Sequence, residues 1–420
     1  MKKGLLTLAV PMVLAGQLHY SGSIHPYGLY RISDGSEISL PFRLAKLDLG
    51  YSFGDFDIRT RSALEYRWSS GSQKFDLREA TLLWYPDFGE VRVGRQIHAW
   101  GAADGNNPTD NLNAYDFYYL FLPGTDRKIG SLSVAVKAYW AGWQIEMVAI
   151  PVHKPNRLTY GEKDFPIEPP VEPDTFEKID HPLEYGLRIQ TSFPSGDVAA
   201  SYFRGHDRGF SLLGLDWGYG GNPVMHFGYQ PTDVIGLDVV SFVGELTLRG
   251  EAGYFRTSND YDRMWAVKLN TESDYVQYVV QVEYAGPYDI QFTGQLIGNS
   301  VRRVKGIALD LLSQRIVPLT KENFVPGMGT PFAMFIDRAA WLSATGSLMD
   351  DRLELAASAL MDLVEKGVMV SVRGDYSPVE NWEVEFALTE FVGTGSTRER
   401  SIFDELEDFS HVQLGLKFSF

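Results

Sequence analysis

The sequence predicts an all-β fold, a transmembrane antiparallel β-barrel of about 18 strands. Three observations carry that reading. Apolar and polar residues alternate with period two along most of the chain, as the two faces of a strand require. Beyond the N-terminus there is no uninterrupted apolar run of about 18 residues, so helical membrane spans are excluded. Short turns and long loops alternate in order, the asymmetry expected between the two rims of a barrel. A chain can cross lipid without helices only if strands pair into a closed barrel.

The N-terminus reads as an export signal. Lys2 and Lys3 precede an apolar run over 4–13, and the small residues Ala15 and Gly16 follow. Residues 1–16 are expected to be a signal peptide cleaved near Ala15, too short for a helical span and interrupted by Pro11. Residues 17–420 are expected to form a single barrel domain, because no Pro/Gly/Ser linker divides them.

Strand by strand, 17–32 sets Leu18, Tyr20 and Ile24 against His19, Ser21 and Ser23, and 42–53 sets Leu47, Leu49, Tyr51 and Phe53 against Lys46, Asp48, Gly50 and Ser52. After Gly54-Asp55 comes the clearest segment: Phe56, Ile58, Leu64, Tyr66 and Trp68 interleave with Asp57, Arg59, Arg61, Glu65 and Arg67. So many charges on one strand face need water, which a wet lumen supplies. Strands follow at 75–85 and 88–98, then 132–140 and 143–150 about Ala141-Gly142, then 183–193 and 198–203. Residues 222–243 are expected to be one long strand bulged at Pro231, since proline cannot donate to a ladder. Strands at 245–257, 274–284, 289–301, 331–348, 352–364, 368–376 and 382–392 lead to the last, 411–420; a short helix is expected at 307–313. A different reading at Pro231 would change the parity and leave about 16 strands.

Composition agrees. The chain holds 22 Tyr, 25 Phe and 41 Gly, a mixture that favours strands and turns. Cysteine is absent, and none of the 8 histidines has His-x-x-x-His spacing, so no thiolate or helical zinc motif is present. The net charge of −16 argues against a nucleic-acid partner. No Gly-x-Ser-x-Gly accompanies a histidine, so no enzyme activity is expected, and no cofactor motif is seen.

If the polar faces line the lumen, the charges sort along the chain. Arg59, Arg61, Arg67, Arg78 and Arg92 lie on early strands, and Glu245, Glu251, Glu283, Glu354, Glu383 and Glu385 on late ones. That order predicts a basic wall facing an acidic wall and a transverse field between them; the alternative is solvated charges that balance one another. The insertion at 99–129 lacks period two and carries Asp104, Asp110, Asp116 and Asp126, several asparagines and the cluster Tyr115, Phe117, Tyr118, Tyr119 and Phe121. It is the expected constriction loop, its acids facing the arginine wall; the alternative is a loop packed over the rim. Its acid spacing does not fit an EF-hand calcium loop.

Two stretches resemble known proteins. The closing strand, with Val412, Leu414, Leu416, Phe418 and Phe420 on one face and a terminal Phe, looks like the last strand of bacterial outer-membrane barrels, in which Phe418 and Phe420 would belong to the signal read by the barrel assembly machinery. Gly94-Arg95-Gln96, Trp100-Gly101, Asp104-Gly105 and Asn107-Pro108-Thr109-Asp110 resemble the strand-and-loop signature of a poorly characterised family of porin-like outer-membrane proteins. The resemblance covers 94–110 only. It implies a barrel in the outer membrane of a Gram-negative bacterium, surrounded by lipid and passing or exporting a small polar solute, and supplies no substrate. The expectation is therefore a porin; the alternative is a non-conducting structural or adhesin barrel.

Overall fold

In lipid a backbone N–H or C=O finds no water, so the strands of this chain must pair all the way round. They do. The computed structural model describes residues 16–420 apart from 123, 168, 170, 218–222, 265, 311–314 and 395–400; the expected signal peptide thus lies almost wholly outside the described residues. Its main sheet joins 19 hydrogen-bonded segments, each antiparallel to its neighbour in the chain. The first two, Gln17–Ile24 and Tyr27–Arg31, are one strand, β1, interrupted at His25-Pro26 because proline has no N–H to give. The barrel therefore has 18 strands, not the smaller alternative.

The strands are β2 (Phe42–Phe53), β3 (Phe56–Tyr66), β4 (Gln73–Trp84), β5 (Gly89–Gln96), β6 (Ser131–Trp140), β7 (Trp143–Ile150), β8 (Glu184–Phe193) and β9 (Gly196–His206). They continue as β10 (Pro231–Val243), β11 (Leu246–Ser258), β12 (Glu272–Ala285), β13 (Gln291–Lys305) and β14 (Arg338–Leu348). The circuit ends with β15 (Leu353–Asp362), β16 (Val368–Val379), β17 (Trp382–Val392) and β18 (His411–Ser419). β18 closes the barrel on both halves of β1, with Ile24 opposite Phe418 and Tyr27 opposite Gly415. Gly22 and Phe420 exchange backbone hydrogen bonds of 2.9 and 3.0 Å at the seam.

Along one rim the turns are tight, as at Gly54 and Gly244, both in the left-handed region at φ 55° and 62°. Along the other rim run the loops L1 (32–41), L2 (67–72), L3 (97–130), L4 (151–183), L5 (207–230), L6 (259–271), L7 (306–337), L8 (363–367) and L9 (393–410).

Three expectations about elements change. Residues 222–243 are not one bulged strand: Pro223–Gly228 pairs with Ser211–Trp217 in a separate three-stranded sheet with Val267–Lys268, and Pro231 opens β10, at a strand end where a missing N–H costs nothing. The helix expected at 307–313 is instead the first strand of a hairpin, Ile307–Asp310 against Arg315–Pro318; the β-favouring Val317 and Ile316 pair with Ala308 and Leu309 across it, and 311–314 lie outside the described residues. The strand expected from Pro331 begins with a helical turn, α1 (Pro331–Phe335), proline being well placed in the first turn, and becomes strand only at Arg338.

The outward faces carry the apolar set. Leu237, Val280, Leu342 and Leu414 are all more than half exposed on the barrel wall, 56%, 51%, 51% and 53% respectively. Such a band belongs against hydrocarbon rather than water. Aromatics collect at the tight-turn rim: Phe53 stacks on Phe56 at 5.5 Å, Phe56 on Trp84 at 6.4 Å, and Trp382 meets Phe418 at 5.0 Å, a girdle at the height of an interface. Leu237 is the middle residue of β10, so Leu237→Arg is expected to destabilise the barrel by about 2–4 kcal/mol. Gln413→Arg on the inward face of β18 should cost under about 1 kcal/mol. Denaturant unfolding in lipid vesicles measures both.

Candidate functional site

The interior is organised by L3, which leaves β5 at Gln96 and enters β6 at Ser131. Between those points it crosses the lumen. On the far wall, the Glu251 carboxylate of β11 accepts hydrogen bonds from the Ala102 and Ala103 amides, from Asn107 Nδ2 at 2.9 Å and from Thr109 Oγ1 at 2.9 Å. Gln281 of β12 grips Asp104 through both amide atoms, at 2.8 and 2.7 Å, and Gln295 of β13 donates to the Asp104 carbonyl at 2.6 Å. On the return, Asp126 sits against β2 and β4: Lys46 Nζ lies 2.9 Å and Arg78 Nη1 2.5 Å from its carboxylate, while Arg43 donates to its carbonyl at 2.7 Å. L3 is thus pinned to opposite walls.

Apolar packing supports the crossing. Trp100 and Leu112 join inward residues Val148, Ile150, Phe203 and Phe255 in one buried cluster, with Phe255 stacked on Tyr275 at 4.6 Å. This wall must lie close to the loop. A Cβ at Gly186 of β8 would stand 2.6 Å from the Trp100 ring, and one at Gly253 of β11 would stand 2.8 Å from the Pro108 carbonyl.

Because L3 lies against β6–β13, the inward charges there are covered: the side chains of Glu146 and Asp238 are 6% and 5% exposed. On the opposite side Arg59, Arg61 and Arg373 remain 59%, 60% and 44% exposed. Water-accessible lumen therefore runs along β16–β18 and β1–β3.

The arginines expected to form a basic wall are each paired with a nearby acid. Arg59 pairs with Asp57 at 2.8 Å, Arg61 with Glu79 at 2.9 Å, Arg78 with Asp126, and Arg92 with Glu146 at 2.6 Å and Glu90 at 3.1 Å. Arg67 lies beyond β3 in L2 and pairs with Glu162 of L4. Of the acidic set, Glu245 is an exposed turn residue on the tight-turn rim, and Glu251 is the anchor of L3. Glu283 pairs with Arg249 at 2.5 Å, Glu383 with Lys417 at 3.1 Å, and Glu385 with His25 at 2.9 Å and Arg373 at 3.4 Å. The partners Glu79 and Arg373 are not singled out by the sequence. The signal was there in part: Arg61 and Glu79 are directly opposed in register, once the register is known.

The loop acids do not all face the arginines. Asp104 faces Gln281, Asp110 pairs with Lys128 inside L3, and Asp116 pairs with Arg157 of L4 at 3.1 Å. Burial raises the carboxyls of Asp110 and Asp116 despite those cations. Asp126 is the acid that meets the arginine wall; burial there is outweighed by Lys46, Arg78 and Arg43, which hold its carboxyl below the usual range.

Over the long-loop rim L4 bends back. Arg67 holds Glu162 at 2.9 and 2.6 Å, Tyr118 of L3 donates to Glu162 at 2.8 Å, and Arg31 holds Asp164 at 2.7 Å. Beneath this latch Ile38 and Leu40 of L1, Phe165 of L4, and Phe403, Leu406 and Phe409 of L9 share one buried apolar cluster.

No protein-family profile matches the sequence, and no curated protein matches it. Solved structures do. OccK2 (OpdF) of Pseudomonas aeruginosa superposes with a TM-score of 0.54 at 10% identity, over 96% of this chain and 97% of that one. OpdK, an outer membrane protein of the same organism, gives 0.53 at 9% over 96% and 99%, and OccAB3 of Acinetobacter baumannii 0.51 at 8% over 96% and 99%. OccK2 has also been solved in complex with glucuronate. The likeness shows the fold: a closed antiparallel β-barrel of 18 strands, as in these outer-membrane proteins.

Glu251→Ala removes the acceptor for four donors of L3, and a buried donor left unsatisfied costs about 1–3 kcal/mol. Proteolysis of the folded barrel is expected to begin within 99–113 in this variant and to spare the parent. Acid should act on the latch. At Glu162 burial raises the carboxyl, but Arg67 and Tyr118 outweigh it and hold it below the ordinary value. The latch is therefore complete above about pH 4 and is lost as pH falls through the lower folded value. Protease cleavage of L4 in acid measures this, and Glu162→Gln should cleave at neutral pH as the parent does in acid.

Proposed function

We propose that this protein is a channel of the Gram-negative outer membrane, passing small polar or charged solutes, with L3 as its constriction. The observation that carries the reading is a loop fixed to opposite walls of a barrel that leaves one side water-accessible and lined by Arg59, Arg61, Arg373 and Lys417 with their acidic partners. A passage so built orders dipolar solutes between paired charges and excludes apolar ones, and it needs no covalent chemistry. The fold shared with OccK2 and OpdK supports the same reading, as does the short porin-like signature at 94–110. On this reading the long-loop rim faces outward, residues 1–16 direct export, and Phe418 and Phe420 belong to the assembly signal.

One observation favours a second reading, a non-conducting structural or adhesin barrel: the apolar cluster of L1, L4 and L9 lies across the long-loop rim. Single-channel recording of the refolded protein in a planar bilayer separates the two. A channel gives steady conductance that rises when 104–121 are deleted, with a salt-gradient reversal potential whose sign reports the dominant lumen charge. Silence in both forms overturns the channel and leaves the closed barrel.

A further inference from the structure

His153 lies in L4, Glu184 is the first residue of β8, and His206 is the last of β9. Their side chains converge at the long-loop rim, with one potential donor atom from each lying within 4.8 Å of the others. His153 Nδ1 is 2.8 Å and His206 Nδ1 3.6 Å from the same carboxylate oxygen, Glu184 Oε1. The Glu184 side chain is fully buried, and those of the two histidines are 6% and 10% exposed.

We infer that these three residues form a binding site for one divalent transition-metal ion of the zinc class, held by two imidazole nitrogens and one carboxylate oxygen, with water completing the coordination. Two features argue for it beyond proximity. His206 Nδ1 is buried and makes no hydrogen bond, although it points at Glu184. His153 Nδ1 faces incompatible demands: Glu184 Oε1 at 2.8 Å calls for a proton on the nitrogen, while Arg208 Nη1 at 3.2 Å calls for a lone pair there. A cation between the three atoms takes up all three lone pairs. Tetrahedral ligands with bonds of about 2.0–2.1 Å are separated by about 3.3 Å, between the two separations seen here.

An ion on His153 Nδ1 displaces Arg208 Nη1 from that atom and leaves the Arg208 contact with Glu184 in place. Arg208 lies 2.8 Å from the other oxygen, Glu184 Oε2, where it orients the carboxylate. Its Nη2 also donates to the Asn111 and Leu112 carbonyls of L3 at 3.1 and 3.2 Å. The ion therefore ties L4 to the barrel rim beside the group that holds L3, whether or not the barrel conducts.

The test uses the full-length folded protein in detergent, stripped with chelator. Calorimetric titration with zinc should give one equivalent, and cobalt should give a visible absorption band of a low-symmetry nitrogen and oxygen site. His153→Ala and His206→Ala should each weaken zinc by at least about tenfold, while His226→Ala, in the L5 sheet, should leave it unchanged. Heat-dependent electrophoretic mobility confirms that each variant is folded, and His153, a loop residue outside the strands, remains the test if His206→Ala does not assemble. Absence of zinc binding, binding that survives the His153 substitution, or equal loss in His226→Ala overturns the site.

Discussion

Every other feature of this molecule depends on closure of the sheet. An open edge in hydrocarbon would leave a row of N–H and C=O groups without partners, each costing several kcal/mol. The final residues meet that demand by pairing with β1, and Gly22 and Phe420 bond each other at the seam. Once the sheet is closed, the two faces of every strand have different solvents. Period two in the sequence then becomes lipid outside and polar interior inside, without exception for strands that would be edges in an open sheet.

Closure also creates an interior that has to be filled or wetted. L3 fills it on one side, through the Glu251, Gln281 and Gln295 contacts and the packing of Trp100 and Leu112. The other side is left to water and to paired charges. Those pairs lie within or between neighbouring strands, as Arg59 with Asp57 and Arg61 with Glu79, so the field across the lumen is a series of short dipoles rather than two opposed walls. The loops at the far rim follow the same logic, their ion pairs overlying a small apolar core of Phe165, Phe403 and Phe409.

The fold was readable because its signals are local. Alternation in 411–420, the tight turns at Gly54 and Ala141-Gly142, and the order of short and long connections each need only a few neighbouring residues. The misreadings fell where a strand leaves the barrel. Pro223–Gly228 lies directly before β10 in the chain, and its pairing with Ser211–Trp217 instead is decided by the fold of L5. The site was readable only in outline. L3 stood out by its lack of period and its polar and aromatic content, but Asp126 rather than Asp104, Asp110 or Asp116 meets the arginines, because the loop's path and not its composition decides which acid reaches β2 and β4.

By itself the sequence determined a period-two chain with apolar outward faces and a barrel of about 18 strands, and it set 99–129 apart as the insertion without that period, since these follow from side-chain alternation and turn chemistry. The tertiary structure alone decided who pairs with whom across the interior. Glu251 meets Asn107, and His153 meets Glu184 and His206, only because eighteen strands close into a ring and bring distant loops together. Coulombic and hydrogen-bonding forces act over a few ångströms of space, and a linear sequence does not specify those distances.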